Sequence, residues 1–220
     1  MYAVIGGSNY SSSWTTFSLR DAKKFEDFLK KIKVPQNQIT TLYDHKYTRN
    51  NVLKEVKELA HKVPENGTAM MYFAGHGTQV MDLDHEEEDG RDEALQTDDR
   101  RTVTDDELSF PFLDVKHPMR VITIADTCHS PSLDMWRFKD SPVRVISVKA
   151  ALDSQSALQS GDGSYMSTFL FQILEEQPEI TVRGLQKELE KRMSAGFAGT
   201  MQLSKVEVSH EELWDEKFLK

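Results

Sequence analysis

A chain of 220 residues, 38% hydrophobic and 29% charged, has the length for one substantial domain with a buried core and is too polar for insertion into a membrane. No apolar run approaches the ~18 residues that span a bilayer. The opening MYAVIGG lacks the basic-then-apolar order of a signal peptide, and no basic patch with interleaved aromatics points to nucleic acid. The net charge of −9 is concentrated: residues 82–99 hold ten acids and one base, and the remaining acids and bases balance. Such a block repels itself unless it is solvated or holds cations, and it is expected to be a loop. The single cysteine, Cys128, excludes an internal disulfide and fits a reducing, cytoplasmic setting in which the thiol stays free.

In chain order, YAVI reads as a short buried strand closed by Gly6 and Gly7. Apolar residues at Leu19, Ala22, Phe25, Phe28, Leu29 and Ile32 fall at helical spacing, with Pro35 beyond as a break. QITTLY (38–43) predicts a second strand. Thr48 is placed to cap a helix from Arg49 to about Lys62, turning Val52, Leu53, Val56 and Leu59 inward. TAMMYF is a third strand, ending at Ala74–Gly75–His76–Gly77. After the acidic block, TDDEL opens a helix behind Thr104. RVITIA (120–125) is the most strand-like run and leads into Asp126–Thr127–Cys128–His129–Ser130. VRVISVKA (143–150) is a further strand. Helices follow at Tyr165–Glu175 and Val182–Met193, then a strand around Met201–Val208 and a short helix from His210.

Alternating strands and helices define an α/β chain with a mostly parallel sheet covered on both faces. Functional groups in such sheets collect at the carboxyl ends of the strands. His76 and Cys128 each stand just past such an end. A thiol is a nucleophile as thiolate, and a neighbouring imidazole tunes its ionisation and protonates a leaving amine. Glycines at 75 and 77 let the backbone bend around His76 and let an amide approach an oxyanion, so the N–H groups of Gly77 and Cys128 are the candidates for that role. Each residue alone also has a plain structural reading, as a small core hydrophobe or a loop histidine.

YFAGHGTQ, then EEDGRDEALQTDD, then ITIADTCHS resemble the metacaspase pattern within the caspase-like cysteine peptidases. YTRNNVL, VTDDEL, LDSQSALQS and TMQLS resemble further family segments in the same order, so the similarity runs along nearly the whole chain. It implies a caspase-like, mostly parallel six-stranded sheet between helices, with a large-subunit-like part over about 1–135 and a small-subunit-like part over about 143–220. No Pro- or Gln-rich stretch precedes the first strand, so no prodomain is expected, being either absent or removed. The resemblance also implies a cysteine endopeptidase with Cys128 as nucleophile and His76 as its partner. Departures are Pro131 where glycine is usual, Met201 for proline, Ala74 for serine and Ser18 where a cysteine is common.

Metacaspases cleave after arginine or lysine, and a buried cationic side chain needs carboxylate partners. By resemblance, Asp21 and Asp126 are those acids, with Ser18 and Asp153 beside them. Plain alternatives are first-turn helix stabilisation for Asp21 and acceptance of backbone N–H groups for Asp126. The family's calcium dependence implies a site drawn from Asp89 or Asp92, Asp105, Asp106 and Asp134, since Ca2+ takes six to eight oxygen ligands; no EF-hand frame is present. The segment Met135–Pro142 lies where such chains are clipped, and Arg137 and Lys139 suit autocatalytic cleavage. The expected partners are protein or peptide substrates met by a monomer, without nucleic acid or membrane. The rival readings are a catalytically silent caspase-like adaptor and a calcium-binding protein.

Overall fold

The computed structural model describes residues 1–10, 17–82, 90–150, 159–160, 163–195 and 204–219. Along the chain come β1 (Tyr2–Gly7), α1 (Ser18–Lys31), β2 (Ile39–Tyr43), α2 (Arg49–Lys62) and β3 (Gly67–Ala74). Next are β4 (His76–Met81), β5 (Arg91–Gln96), β6 (Thr102–Thr104), α3 (Asp105–Leu113), β7 (Met119–Asp126) and β8 (Val143–Lys149). The pair β9 (Gln159–Ser160) and β10 (Gly163–Ser164) precedes α4 (Tyr165–Glu176), α5 (Val182–Ala195) and β11 (Lys205–Val208).

Six strands form one sheet in the order β11-β8-β7-β3-β1-β2. All neighbours run parallel except β11, which is antiparallel to β8. Period-two alternation sends successive side chains to opposite faces. Met70, Tyr72, Ile122, Ile124, Ile146 and Val148 meet the apolar faces of α1, α4 and α5 in one core. Met71, Phe73, Val121, Val145 and their neighbours meet α2 and α3 in the other. Phe25 of α1 is fully buried and stacks on Tyr72 at 4.6 Å between ring centroids, so Phe25→Ala costs about 3–5 kcal/mol. This is the two-sided α/β sandwich expected from the alternation of elements.

The helix starts follow local chemistry. The Thr48 side chain accepts the Asn51 N–H, and Thr104 forms a reciprocal capping box with Glu107. Glu107 also pairs with Arg49, tying α3 to α2.

One expectation is corrected. The acidic block is not wholly a solvated loop: Arg91–Gln96 is a strand, and β4, β5 and β6 form a separate antiparallel sheet beyond the end of β3. Asp92 and Glu93 within it are buried. Consecutive residues of this strand are buried on both of its faces, charged ones included, so no alternation marks it in the sequence. The late strand begins at Lys205 among the described residues; 201–203 lie outside them. No helix among the described residues is long and apolar enough to cross a membrane.

Candidate active site

Parallel pairing of β3 with β7 sets Ala74 opposite Asp126, and the Gly75 N–H extends the contact by donating to the Asp126 carbonyl at 3.3 Å. His76 and Cys128 are therefore each two residues beyond the same rung. The two segments abut: a β-carbon on Gly77 would lie 1.7 Å from the Cys128 carbonyl oxygen, so only glycine fits at 77. Both side chains are half-buried. Burial holds the His76 imidazole below its ordinary pKa, so the ring is neutral at neutral pH. His129, next to the thiol, has φ +42°, turning the chain sharply away from β7.

On the α1/α4 side of the same strand end lies a pair of buried carboxylates. Asp21, in the first turn of α1, is 1% exposed, and Asp126, the last residue of β7, is 2% exposed. Asp21 Oδ2 accepts the Ser164 N–H at 2.8 Å, close against Gly163, whose φ of +125° suits glycine alone. Asp126 Oδ2 accepts from the Ser167 hydroxyl and, at 3.3 Å, from Tyr72. The other oxygen of each carboxylate, the Ser18 Oγ and the Thr127 Oγ1 are buried without a hydrogen-bond partner among the described residues. The nearest cation to Asp21 is the Lys24 ammonium, 3.6 Å from Oδ1. Burial is the main cause raising both carboxyls, with mutual repulsion adding to it for Asp126; the serine hydrogen bonds pull Asp126 back, to about 6. Asp21 and Asp126 thus lie close enough to repel each other, and Ser18 stands one helical turn before Asp21 in α1. Asp153 lies outside the described residues.

A second acidic cluster sits behind β5 and α3. Asp105 is 5% exposed, and burial followed by repulsion from Asp134, Glu93 and Asp92 lifts its carboxyl to about 9. Asp134 is raised by burial and by Asp106, against the opposing pull of Arg137. Arg137 Nη2 donates to Asp106 Oδ1 at 2.7 Å, and its Nε lies 3.2 Å from Asp134 Oδ2. The donors are oxygen alone and crowd one another, which is the chemistry a hard divalent cation takes. Among the described residues no three of them converge as a ready-made cage. Asp89 falls outside the described residues.

Sequence reasoning missed Tyr10, Ser164 and Ser167 as neighbours of these groups. It read Arg137 as a linker residue, whereas its side chain is only 17% exposed and sits among carboxylates. A tyrosine in the GGSNY turn at the carboxyl end of the first strand was the available signal for Tyr10.

Cys128 and His76 thus stand at adjoining ends of parallel strands in a two-sided α/β sheet, near the buried carboxylates of Asp21 and Asp126. A Geobacter sulfurreducens protein of known structure superposes with TM-score 0.77 at 16% identity, covering 100% of this chain and 98% of its own. Caspase-1 from Spodoptera frugiperda gives TM-score 0.68 at 12% identity over 96% of this chain and 86% of its own. These likenesses establish the fold. The chain belongs to the family described as metacaspase, peptidase C14 domain, whose profile matches residues 2–135. Metacaspase-1B of Aspergillus terreus is 36% identical over 87 residues, 38% of this chain and 23% of that relative. Metacaspase-1A of Neurospora crassa is 28% identical over 123 residues, 54% of this chain and 27% of that relative. The chain thus matches about a quarter of the length of these curated relatives.

Proposed function

We propose that the chain is a cysteine endopeptidase cleaving after arginine or lysine. His76 takes the Cys128 thiol proton, and the resulting thiolate attacks the scissile carbonyl carbon, forming the C–S bond as the C=O double bond opens to an oxyanion held by the N–H groups of Gly77 and Cys128. As the intermediate collapses, the C–N bond breaks and the His76 imidazolium delivers that proton to the departing amine. His76 then takes a proton from water as it attacks the thioester; the C–S bond breaks, the acid product leaves, and His76 returns the proton to the sulfur. The basic side chain of the residue before the cut lies between Asp21 and Asp126, with Ser18 as a further acceptor. One observation supports this specificity: buried oxygens on Asp126 and Ser18 accept no hydrogen bond from any described residue, and the free oxygen of Asp21 has only the Lys24 ammonium, 3.6 Å away, near the strand ends that carry the thiol and imidazole. A guanidinium brings donors in the planar fork these oxygens lack.

Calcium activation belongs to the same reading. Asp92, Asp105, Asp106 and Asp134 would hold the ion, and it would neutralise their mutual repulsion and order the β4–β5–β6 sheet beside His76. Self-processing falls in Met135–Pro142, after the exposed Lys139 in preference to the ion-paired Arg137. The enzyme works as a monomer in a reducing compartment such as the cytoplasm.

The test is hydrolysis of arginyl, lysyl and aspartyl reporter peptides by the wild type and Cys128→Ala, with and without Ca2+. Cleavage of the basic peptides alone, lost in Cys128→Ala, is the expected result. Aspartyl cleavage, or turnover that survives Cys128→Ala, ends the reading, and an unchanged rate across a Ca2+ titration removes the calcium part.

A further inference from the structure

Tyr10 lies in the turn that leaves β1. Its backbone is left-handed, with φ +47°, an outlier for a bulky aromatic that persists only where the surroundings hold it. Here they do. Ser8 Oγ accepts the Tyr10 N–H at 2.8 Å and donates in turn to Asp98 Oδ1.

From that anchored position the side chain reaches His76 in two ways. The phenol oxygen accepts the His76 backbone N–H at 3.0 Å and donates to the Gln96 carbonyl at 2.6 Å. It therefore bridges His76 and Gln96, which face each other across β4 and β5. The ring also packs on the imidazole, with centroids 4.7 Å apart and planes tilted by 41°. Room for the hydroxyl exists because residue 75 is glycine: a β-carbon there would stand 2.2 Å from the phenol oxygen.

The imidazole follows directly on Gly75, a residue that by itself leaves the backbone free to turn. A displacement of about 1 Å between reacting groups costs on the order of a hundredfold in rate. We infer that Tyr10 is a positioning residue that fixes His76 against Cys128, holding its backbone through the hydroxyl and its ring through the aromatic face. The inference rests on the reading of His76 and Cys128 as a working pair.

A residue that acts through His76 loses its influence once His76 is removed, and that separates positioning from general support of the fold. The measurement is the rate of Cys128 alkylation by iodoacetamide at neutral pH in wild type, Tyr10→Phe, His76→Ala and the double variant. Tyr10→Phe is expected to slow alkylation about tenfold, His76→Ala by at least as much, and the double variant to match His76→Ala within about twofold. On a basic peptide, Tyr10→Phe lowers kcat and leaves KM in place. Gly75→Ala, which pushes the phenol aside, gives the same signature and serves if Tyr10→Phe folds poorly. Wild-type alkylation rates in Tyr10→Phe or Gly75→Ala overturn the inference. So does an equal slowing by Tyr10→Phe with and without His76. If His76→Ala reacts as fast as wild type, the pairing itself fails and takes the inference with it. If the thiol behaves as expected and no peptide is cleaved, the peptidase reading fails and the role of Tyr10 stands.

Discussion

Arg137 Nη2 donates a 2.7 Å hydrogen bond to Asp106 Oδ1, so a guanidinium already occupies carboxylates proposed to take calcium. Its Nε lies 3.2 Å from Asp134 Oδ2. A metal entering this cluster competes with a cation tethered to the same chain, and a cavity of about 400 Å3 lined in part by Leu53, Phe110 and Arg137 gives the displaced side chain somewhere to go. Arg137→Gln is expected to tighten Ca2+ binding about tenfold in calorimetry, the factor set by removing a competitor worth about 1.4 kcal/mol. Lys139→Gln removes the same charge from an exposed position and leaves the affinity unchanged. Equal affinities for wild type and Arg137→Gln would refute the competition.

The carboxyl of Asp126, lifted to about 6, makes a pH-dependent prediction with a defined sign. The folded chain binds this proton more tightly than the unfolded one. The resulting stabilisation is full below about 4 and is lost as pH rises through 6. Binding a basic side chain runs the other way, because it needs the ionised form, so kcat/KM on an arginyl peptide falls as pH drops below 6. Asp126→Asn should lower kcat/KM at neutral pH by about ten- to a hundredfold, the worth of a hydrogen bond to a charged group. It should also flatten the acid limb, leaving only that of His76. A pH profile unchanged in Asp126→Asn would remove Asp126 from the pocket.

Gly77→Ala places a methyl 1.7 Å from a backbone oxygen, which cannot rotate away. Activity is expected to fall by more than about a hundredfold as the two strand ends part, while far-UV circular dichroism keeps the α/β signature. Gly90→Ala is the contrast: its φ is +71° with nothing within 4 Å, so the cost is backbone strain of about 1–2 kcal/mol. Equal activity losses in the two variants would contradict the steric account.

Thr104→Ala removes the capping box at the start of α3 and should destabilise the chain by about 1 kcal/mol in urea unfolding. Because Asp105 and Asp106 are the first residues of that helix, the same variant should weaken Ca2+ binding. A stability loss with calcium affinity intact would separate the cap from the metal site.

The sandwich was legible because its strands are apolar runs with helices of clear periodicity between them; Met119–Asp126 is buried along its whole length. The placement of His76 and Cys128 followed from the same reading, since both sit just past strand ends. The β4–β5–β6 sheet was not legible. Arg91, Asp92 and Glu93 look like solvated charge, and only tertiary burial of Asp92 and Glu93 makes a strand there. Tyr10 escaped for a related reason: its partner His76 is 66 residues away, and no local pattern records a phenol filling the gap left by a missing β-carbon. Arg137 was read as a cleavage point because sequence shows its charge and not the acids folded around it.

The rung that sets Ala74 against Asp126 also has an evolutionary reading. The separation of thiol and imidazole is written in the ladder of two buried strands and owes little to loop length. Deleting one residue from either strand would slide His76 or Cys128 by about 3.3 Å and turn its side chain to the opposite face. Length changes are therefore tolerable in the connections of this chain and forbidden in β3 and β7, however well a shortened strand preserves its apolar character.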